Sequence, residues 1–555
     1  MKKYRWQLII AIGGLILILG YLLGQSPLVE STESEPVAGG TYREALIGMV
    51  SRLNPILITD NQVDRDINRI LYRGLVAFDT RRIPRPDLAE SWAISADATL
   101  YTFTLRDDAI WHDGEPLRSE DVLYTFSKFR DPDYPGPSDL QAFWEEINII
   151  QLDERTVQFQ LPEPYAPFLD FVTVGLLPEH LLRGVSAGEL IDHPFNLQPV
   201  GTGPFKFDHF ILEEDSINGV SLSAFQDYFK DRPYLDQVEL LFYSDEGRAL
   251  QAYIDGDVHG IGQVNEGLLD RVLELPNLNL HTAHLPSIST VFLNLKHSEK
   301  TFIADKEFRQ ALLLGVNIQW IIDEVLSGQG VIATGPIFPG TWAYLDSLTP
   351  STFSPAQAEE LLVKLGWEIP EGAQAGTSEY VRYKDDTPLV FDLIHASDPL
   401  HTAIAEALQE SWAHIGVQVS LMPVPASELV TDYLEPRNFE SILTDLHIGP
   451  YPDPDPYPFW HDSQTETGQN YSGFEDRNIG IWLEKARTTA DLTTRADLYK
   501  SFQFRFRDQV PAILLYFPVH SYAIDDQVQD VSIGPLLDPS ERFADIHLWH
   551  MAFQP

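Results

Sequence analysis

The chain of 555 residues has no cysteine and little positive charge. Without cysteine there can be no disulfide, no thiolate metal site and no cysteine nucleophile. The 38 lysines and arginines face 82 aspartates and glutamates, which gives a formal net charge of −44. Because a surface of that sign repels phosphate backbones, the composition argues against a nucleic-acid partner.

Apolar and aromatic residues, by contrast, are plentiful. Hydrophobic residues make up 44% of the chain and aromatic residues 11%, so global disorder is excluded. A chain of this length is too long for a single hydrophobic core, and we therefore expect two or three folding units.

The N-terminus carries a long apolar run. Residues 6–23 are almost entirely apolar, follow Lys2, Lys3 and Arg5, and precede an acidic stretch. This asymmetry predicts that the rest of the chain lies outside the cytoplasmic membrane. A helix of this length spans roughly 27 Å, enough to cross a bilayer core. Residues 1–24 are therefore predicted to be an uncleaved signal anchor, with a cleaved signal peptide as the alternative, and residues 25–40 to form an exposed tether.

Strands and helices alternate along the remainder of the chain. Residues 235–243 and 258–264 have the composition of strands, and the helix between them is predicted to begin at Ser244 and to end at Gly256. Further on, residues 354–357 (SPAQ) have the pattern of a capping box that begins a helix.

A second strand–helix–strand unit joins strands at 389–394 and 417–424. The helix between them carries Ile404, Leu408, Trp412 and Ile415 at a spacing that places all four side chains on one face. Together the two units predict an α/β protein with two sheets, one before and one after about residue 290.

No motif has the context that catalysis or metal binding requires. Residues 184–188 (GVSAG) match a nucleophile elbow in their letters, but a short helix rather than a strand is predicted to enter them. His281 and His284 lie in a predicted strand, where residues three apart point to opposite faces. Spacings typical of zinc or calcium sites are absent from the sequence. We therefore expect no catalytic residue, no metal site and no cofactor.

The most informative segment is residues 449–460 (GPYPDPDPYPFW). Its alternate prolines predict a rigid, extended loop. Aromatic surface beside carboxylates on such a loop suits the recognition of a cationic or amphipathic ligand. The alternative is that the aromatic residues belong partly to the core and the aspartates cap turns. The residues concerned are Tyr451, Asp453, Asp455, Tyr457, Phe459 and Trp460.

Residues 86–126 resemble the signature of the family 5 extracellular solute-binding proteins, the oligopeptide-, dipeptide- and nickel-binding components of ABC importers. The segment reads PDLAESWAISADATLYTFTLRDDAIWHDGEPLRSEDVLYTF. Companion motifs follow in the expected order, so the resemblance covers residues 39–555. They are GGT at 39, LNP at 53, PVGTGPF at 199, FRQA at 308, SPAQAEELLVKLGW at 354, EALQESWAHIGVQV at 406 and the Asp-Pro loop at 453.

The resemblance implies a two-lobed periplasmic-binding-protein fold that closes on its ligand by hinge rotation. Lobe I would span residues 41–288 with an inserted subdomain, lobe II residues 289–516, and residues 517–555 would return to lobe I. The chain would be a monomer outside the cytoplasm that captures a peptide or similar small solute and delivers it to an ABC permease with its ATPase subunits. A membrane-tethered ligand sensor with the same fold and no transport role is the alternative.

The predicted ligand site lies between the lobes against residues 447–460. Members that bind peptides typically carry an Asp a few residues before the Asp-Pro pair, where it binds the free α-amino group. Here Pro450 occupies that position and His447 the position of a usual aromatic residue. The ligand is therefore either a peptide held differently or another solute. The predicted contact residues are Asp453, Asp455, Tyr451, Trp460, His447, Asn54 and Thr290.

Overall fold

The computed structural model describes residues 36–57, 60–214, 216–377, 379–449 and 451–552. By its internal contacts the chain divides into Met1–Val37 and Ala38–Pro555, and everything below concerns the second unit. The predicted anchor at 1–24, and all of the predicted tether before residue 36, lie outside the described residues. Within the described ranges, every helix is too short or too polar to cross a membrane.

Five sheets contain all the strands found in the described part of the chain. In chain order the strands are β1 Thr41–Ile47, β2 Val76–Phe78, β3 Pro84–Pro86, β4 Ala89–Ile94, β5 Leu100–Leu105, β6 Asn148–Gln151, β7 Thr156–Gln160, β8 Phe205–Glu213, β9 Ser216–Ala224, β10 Gln237–Tyr243, β11 Gly260–Ile261, β12 Leu278–His284, β13 Ser287–Leu293, β14 Gly330–Ile332, β15 Tyr383–Lys384, β16 Thr387–Pro388, β17 Val390–Ala396, β18 Gln418–Val424, β19 Ser441–His447, β20 Ala512–Asp525, β21 Val528–Gln529 and β22 His550–Met551.

The helices lie between these strands and cover their faces. They are α1 Gln62–Leu71, α2 Ser119–Phe129, α3 Ser138–Glu146, α4 Glu179–Leu182, α5 Glu246–Asp255, α6 Glu266–Leu273, α7 Lys306–Leu314, α8 Ile318–Trp320, α9 Pro355–Lys364, α10 Pro399–His414, α11 Ala426–Glu428, α12 Tyr457–Trp460, α13 Arg477–Arg487 and α14 Leu492–Gln509. Short 3-10 turns, among them Ala166–Val172, connect several of these helices.

One long strand, β20, joins the two halves of the largest sheet. The strand order is β18-β17-β19-β13-β20-β11-β1-β10-β9-β8, with β12 and β14 also paired to β20. Residues 512–516 of β20 pair with β13, and residues 519–525 pair with β12. The chain therefore passes between the halves twice, once between β12 and β13 and once within β20. We name the half around β1 and β8–β12 the first lobe, and the half around β13 and β17–β19 the second lobe.

The first lobe packs most of its apolar side chains into one large core, which extends beneath a separate sheet of order β4-β5-β7-β6. A smaller cluster covers the other face of the main sheet, where α5 packs on β1 and β11. Strands β10 and β11 both run parallel to β1, which is the β-α-β arrangement that the sequence predicts.

The second lobe has a core on each face of its sheet. Strands β17 and β18 are parallel and α10 connects them. Its predicted apolar face is buried in one of these cores: Ile404, Leu408, Trp412 and Ile415 are all fully buried. This second unit is therefore confirmed, with its strands at Val390–Ala396 and Gln418–Val424 instead of 389–394 and 417–424.

Three local predictions need correction. Helix α5 is capped by the side chain of Asp245, which accepts a hydrogen bond from the backbone N–H of Arg248, so the cap lies one residue after the predicted Ser244. Ser354 precedes α9 as predicted but makes no side-chain capping bond. Of the strand predicted at 258–264, only Gly260–Ile261 lies in the sheet. These two residues pair with β1 on one side and with β20 on the other.

Helix α1 is held in place by an unusually close backbone contact. A Cβ added to Gly201 or Gly203 would lie 2.0 Å from the carbonyl oxygen of Leu71 or Ile70, at the C-terminal end of α1. Only glycine allows this approach, so the GTGP segment fixes the position of a helix that faces the candidate site.

Candidate functional site

The loop that follows β19 is held by a buried ion pair. The carboxylate of Asp453 accepts two hydrogen bonds from the guanidinium of Arg495, at 2.5 and 2.7 Å. The side chain of Arg495 is only 2% exposed. It also donates to the Tyr499 hydroxyl at 3.0 Å and lies 5.0 Å from the ring centre of Trp342. Both charges are therefore neutralised within the second lobe.

Asp455 has an arginine partner of its own. Its Oδ2 lies 2.6 Å from Nε of Arg487, and its Oδ1 accepts from the backbone N–H of Tyr457. The guanidinium of Arg487 stacks 3.9 Å from the ring centre of Tyr457 and lies 5.6 Å from that of Tyr165, a first-lobe residue. Burial raises the pKa of Asp455 even though Arg487 opposes the shift.

The same loop contacts the first lobe directly. The backbone N–H of Asp453 donates to Oδ2 of Asp170 at 3.0 Å. Tyr451 packs its ring on Phe171 with ring centres 4.9 Å apart. Burial, together with the nearby carboxylate of Asp453, raises the pKa of Asp170 well above its usual value. The Asp-Pro loop thus forms a boundary between the lobes.

Beside this boundary lies a cavity of about 360 Å³. Most of its wall belongs to the first lobe, from α1, β2 and residues 173–175, and Pro452 of the Asp-Pro loop completes it. Asn54 and Phe78 line it, as do Leu537 and Glu541 from the C-terminal segment. The volume lies in the range of small-molecule sites, and the wall includes residues from both sides of the boundary.

The charged side chains around this cavity are paired at different distances. Three carboxylates line it, those of Asp87, Asp538 and Glu541. Asp87 is bound by Arg73 and Lys230, Asp538 by Arg65, and Glu541 by Arg82, with Arg69 further away. Arg65, Arg69 and Arg73 line the cavity together with these three carboxylates, while Lys230 and Arg82 reach two of the carboxylates from outside the lining.

The structure places the seven predicted contact residues in different surroundings. Asn54 lines the cavity, where its Nδ2 donates to Asn196 at 3.0 Å. Tyr451 is partly exposed at the lobe boundary, and His447 is exposed at the end of β19. Thr290 is buried in the middle of β13 and donates to the carbonyl of Ile288. Contact of any of them with a ligand stays a prediction.

Trp460 and its neighbours show where the prediction of an extended loop is wrong. Residues Tyr457–Trp460 form a helical turn with Pro458 in its first turn, a position in which proline lacks no needed hydrogen bond. That turn directs Trp460 inward, where it is 1% exposed between Phe292 and Phe506. The aromatic residues of this segment are thus partly core, which was the alternative interpretation.

Sequence reasoning missed Arg487, Arg495, Asp170 and Arg69. The scarcity of cations in so acidic a chain was the available signal, because each remaining arginine then has several possible carboxylate partners. Arg487 and Arg495 lie on the successive helices α13 and α14, and nothing local in the sequence pairs them with a loop more than thirty residues earlier.

Other sequence motifs have structural roles. Helix α4 precedes Gly184, whose φ is +83°, and the Ser186 hydroxyl donates to Glu189 at 2.8 Å. His281 stacks on Tyr522, and His284 meets Phe338 at an edge. Across the described ranges, the His, Asp and Glu side chains form no group of three that could hold a metal ion.

Comparison with known proteins gives matches along most of the chain. Residues 84–469 match the family described as bacterial extracellular solute-binding proteins, family 5 Middle. The oligopeptide-binding protein AppA of Bacillus subtilis is 25% identical over 531 residues, covering 94% of each chain. The dipeptide-binding protein of Escherichia coli is 27% identical over 540 residues, covering 92% of this chain and 95% of its own.

Solved structures share the architecture. The crystal structure of NikZ from Campylobacter jejuni, in complex with Ni(L-His), superposes with a TM-score of 0.66 at 25% identity and covers 92% of this chain and 99% of that one. The mixed α/β fold with two lobes is therefore a periplasmic-binding-protein fold.

These similarities establish the kind of protein this is. The relatives are substrate-binding components of importers, which bind a solute outside the cytoplasm and carry out no reaction on it. This chain is likewise an importer's solute-binding component and not an enzyme. Because the family pattern spans residues 84–469, the chain belongs to the bacterial extracellular solute-binding proteins of family 5.

Proposed function

We propose that the chain captures its solute in the 360 Å³ cavity beside the Asp-Pro loop and presents it to a membrane permease. The observation that carries this proposal is the composition of the wall: first-lobe residues such as Asn54 and Asn68 face Pro452 of the second lobe. A solute in contact with both lobes stabilises the arrangement in which they are close together, so occupancy shifts the hinge equilibrium.

In this proposal the Asp-Pro loop shapes the wall of the site and supplies no free charge to the ligand. Asp453 and Asp455 hold the loop through Arg495 and Arg487. Asn54 and Tyr451 remain as ligand contacts, since one lines the cavity and the other touches Phe171 across the boundary. Rigid prolines reduce the entropy that the loop loses on binding. Trp460 and Thr290 are buried in the second lobe, and neither lines this cavity.

The relatives define what the solute could be. AppA of Bacillus subtilis is named for oligopeptides and the Escherichia coli relative for dipeptides, so a short peptide or a solute of similar size is the proposed cargo. The anchor predicted at residues 1–24 would keep the chain, as a monomer, at the outer face of the cytoplasmic membrane beside the permease and its ATPase subunits.

The test begins with the solute that accompanies the protein. Native mass spectrometry of the full-length chain, purified gently from its own host, should reveal a bound small molecule. When this molecule is returned to the stripped chain, X-ray scattering should show a smaller radius of gyration. The free energy of unfolding should rise by about 2.7 kcal/mol at a hundredfold excess over the dissociation constant.

Two tryptophan substitutions locate the site. Ala77 lines the cavity, so Ala77→Trp should fill it and lower affinity at least about tenfold, a change of about 1.4 kcal/mol. Ala93→Trp makes the same change on the exposed side of β4 and should bind normally. If Ala77→Trp binds as the parent chain does, the solute sits elsewhere.

A further inference from the structure

Arg69 lies in the cavity wall without the partners that other buried arginines of this chain have. Its Nε has no hydrogen-bond partner among the residues that the structure describes. Its ion pair with Glu541 is long, with 3.9 Å between Nη2 and Oε1. The side chain lines the cavity and is 31% exposed there. A guanidinium presents five N–H donors in a planar fork, and most of these remain available to a ligand.

The carboxylate of Glu541 does not accept the hydrogen bonds that Arg69 can donate. Glu541 accepts hydrogen bonds from Nη1 and Nη2 of Arg82, at 3.0 and 2.7 Å, and binds the backbone N–H of Leu537. Its two oxygens are therefore directed at Arg82 and the backbone rather than at Arg69. Burial lowers the pKa of Arg69, and the positive charge of Arg73 lowers it further against the opposing effect of Glu541. An anion in the cavity would oppose both effects, because a nearby negative charge favours the charged form of the guanidinium.

A second unpartnered atom lies beside it. Oδ1 of Asn68 is buried without a hydrogen-bond donor among the described residues, while its Nδ2 donates to the carbonyl of Asn54. Asn68 and Arg69 both line the cavity. Arg69 thus offers donors beside the free acceptor of Asn68, which suits an oxyanion with a hydroxyl or amide N–H close to it.

We propose that the solute carries a carboxylate or phosphate group that enters this cavity and binds Arg69, with a neighbouring donor of the solute bound to Asn68. The proposal rests on the capture function above and names the chemical class of the cargo. Arginine binds such oxyanions through two parallel hydrogen bonds, which give orientation as well as affinity.

The Asp-Pro loop favours the same polarity. The carboxylates of Asp453 and Asp455 are already bound by Arg495 and Arg487, so neither is available to a cationic group of a ligand. Recognition of charge in this proposal therefore falls to Arg69, on the first-lobe side of the boundary.

The experiment compares solutes that differ in one charge. Thermal stabilisation and calorimetric titration of the full-length chain would use three probe sets: alanyl-alanine and its C-terminal amide, gluconate and glucose, and glucose 6-phosphate and glucose. We expect an acid to bind and its neutral counterpart not to. The carboxylate and phosphate sets distinguish the two kinds of oxyanion.

The matched variants are Arg69→Gln and Arg118→Gln. Arg69→Gln should weaken binding of the acid at least about thirtyfold with no loss of folding, because Glu541, its partner at 3.9 Å, keeps both hydrogen bonds from Arg82. Arg118→Gln removes the same charge from an exposed ion pair with Glu154, outside the cavity wall, and should bind like the parent chain.

Three outcomes would overturn the inference: a neutral probe that binds as tightly as its acid, an Arg69→Gln variant that keeps its affinity for the acid, or a parent chain that none of the acids stabilises. Failure of the capture function itself looks different. If a neutral co-purified solute compacts both the parent chain and Arg69→Gln, capture stands and only the anionic class is wrong.

Discussion

Two arginines at the same helix of the first lobe, α1, differ in how fully their charge is paired. Arg542 binds Asp66 of α1 with two hydrogen bonds of 2.9 and 2.6 Å and Glu44 of β1 with two of 3.0 and 2.6 Å. It is 1% exposed. Arg69, three residues after Asp66 on that helix, lines a cavity and makes a single ion pair of 3.9 Å.

The difference separates stability from recognition. Burial would lower the pKa of Arg542, but Asp66 and Glu44 raise it above its usual value, so its charge is compensated within the protein. The charge of Arg69 is compensated within the protein only by its long ion pair with Glu541, and an anion in the cavity would compensate it further. Arg542 can gain little from a ligand, because its partners already neutralise it. Arg69 can still gain binding free energy from an anionic ligand, because its one ion pair is long.

Breaking the compensated network should have the largest effect. Arg542→Met leaves Glu44 and Asp66, both buried, without a counter-charge, and should lower the free energy of unfolding by about 4 kcal/mol at neutral pH. Urea unfolding measures this loss. Arg69→Gln, which leaves no carboxylate without its main partner, should unfold like the parent chain.

A compensating variant checks the cause. Arg542→Met combined with Glu44→Gln and Asp66→Asn removes all three charges and should recover most of the lost stability. If the triple variant remains as unstable as Arg542→Met, lost packing rather than unpaired charge explains the effect, and the contrast with Arg69 loses its basis.

The Asp-Pro loop allows the comparison to be graded by burial. Asp453→Asn leaves Arg495, 2% exposed, without its carboxylate and should cost about 3 kcal/mol of unfolding free energy. Asp455→Asn should cost only about 1 kcal/mol, because Arg487 is partly exposed and keeps its stacking on Tyr457. Denaturant unfolding distinguishes the two. Equal losses would mean that the burial of an ion pair does not determine how much it contributes to the free energy of unfolding.

Sequence periodicity predicted the parts of this fold in which burial follows a local rule. The buried face of α10 was identified because a helix repeats every 3.6 residues and all four apolar positions obey it. The end of α5 was identified at Gly256 because glycine is the usual residue after a helix. Its φ of +83° is the left-handed conformation that explains this preference. These features depend on neighbours in the chain.

The site depends on contacts between distant residues, and there the sequence was insufficient. The proline-rich segment correctly drew attention to the lobe boundary, but its aspartates are bound by arginines 32 and 42 residues later. Nothing local separates an aspartate that awaits a ligand from one that already has a partner. Arg69 was invisible for the same reason, since only the fold shows that Glu541 is bound by Arg82.

The last expected effect is absent at neutral pH and concerns His520, whose neighbour is Arg542. The ring of His520 is buried on β20, and its Nε2 bonds the carbonyl of Gly262 at 3.1 Å. Burial and the positive charge of Arg542 lower the pKa of His520 to about 4, against opposing effects of Gly262 and Asp538. The unfolded chain, in which histidine titrates near pH 6.5, therefore takes up the proton first on acidification.

The sign follows from linkage. The contribution of His520 to stability is fully present above pH 6.5 and is lost as the pH falls towards 4, and at pH 5 the loss amounts to about 2 kcal/mol. In His520→Gln the amide can still donate to Gly262 but cannot titrate. The free energy of unfolding, measured from pH 8 to pH 5, should therefore fall less steeply in this variant than in the parent chain. The two curves should be parallel between pH 7.5 and pH 8, where histidine is neutral in both states. Curves that stay parallel down to pH 5 would show that His520 accepts its proton in the folded state. In that case the charge of Arg542 would not lower the pKa of His520. Glu44 and Asp66 would then neutralise Arg542 so completely that it has no effect on a neighbouring residue.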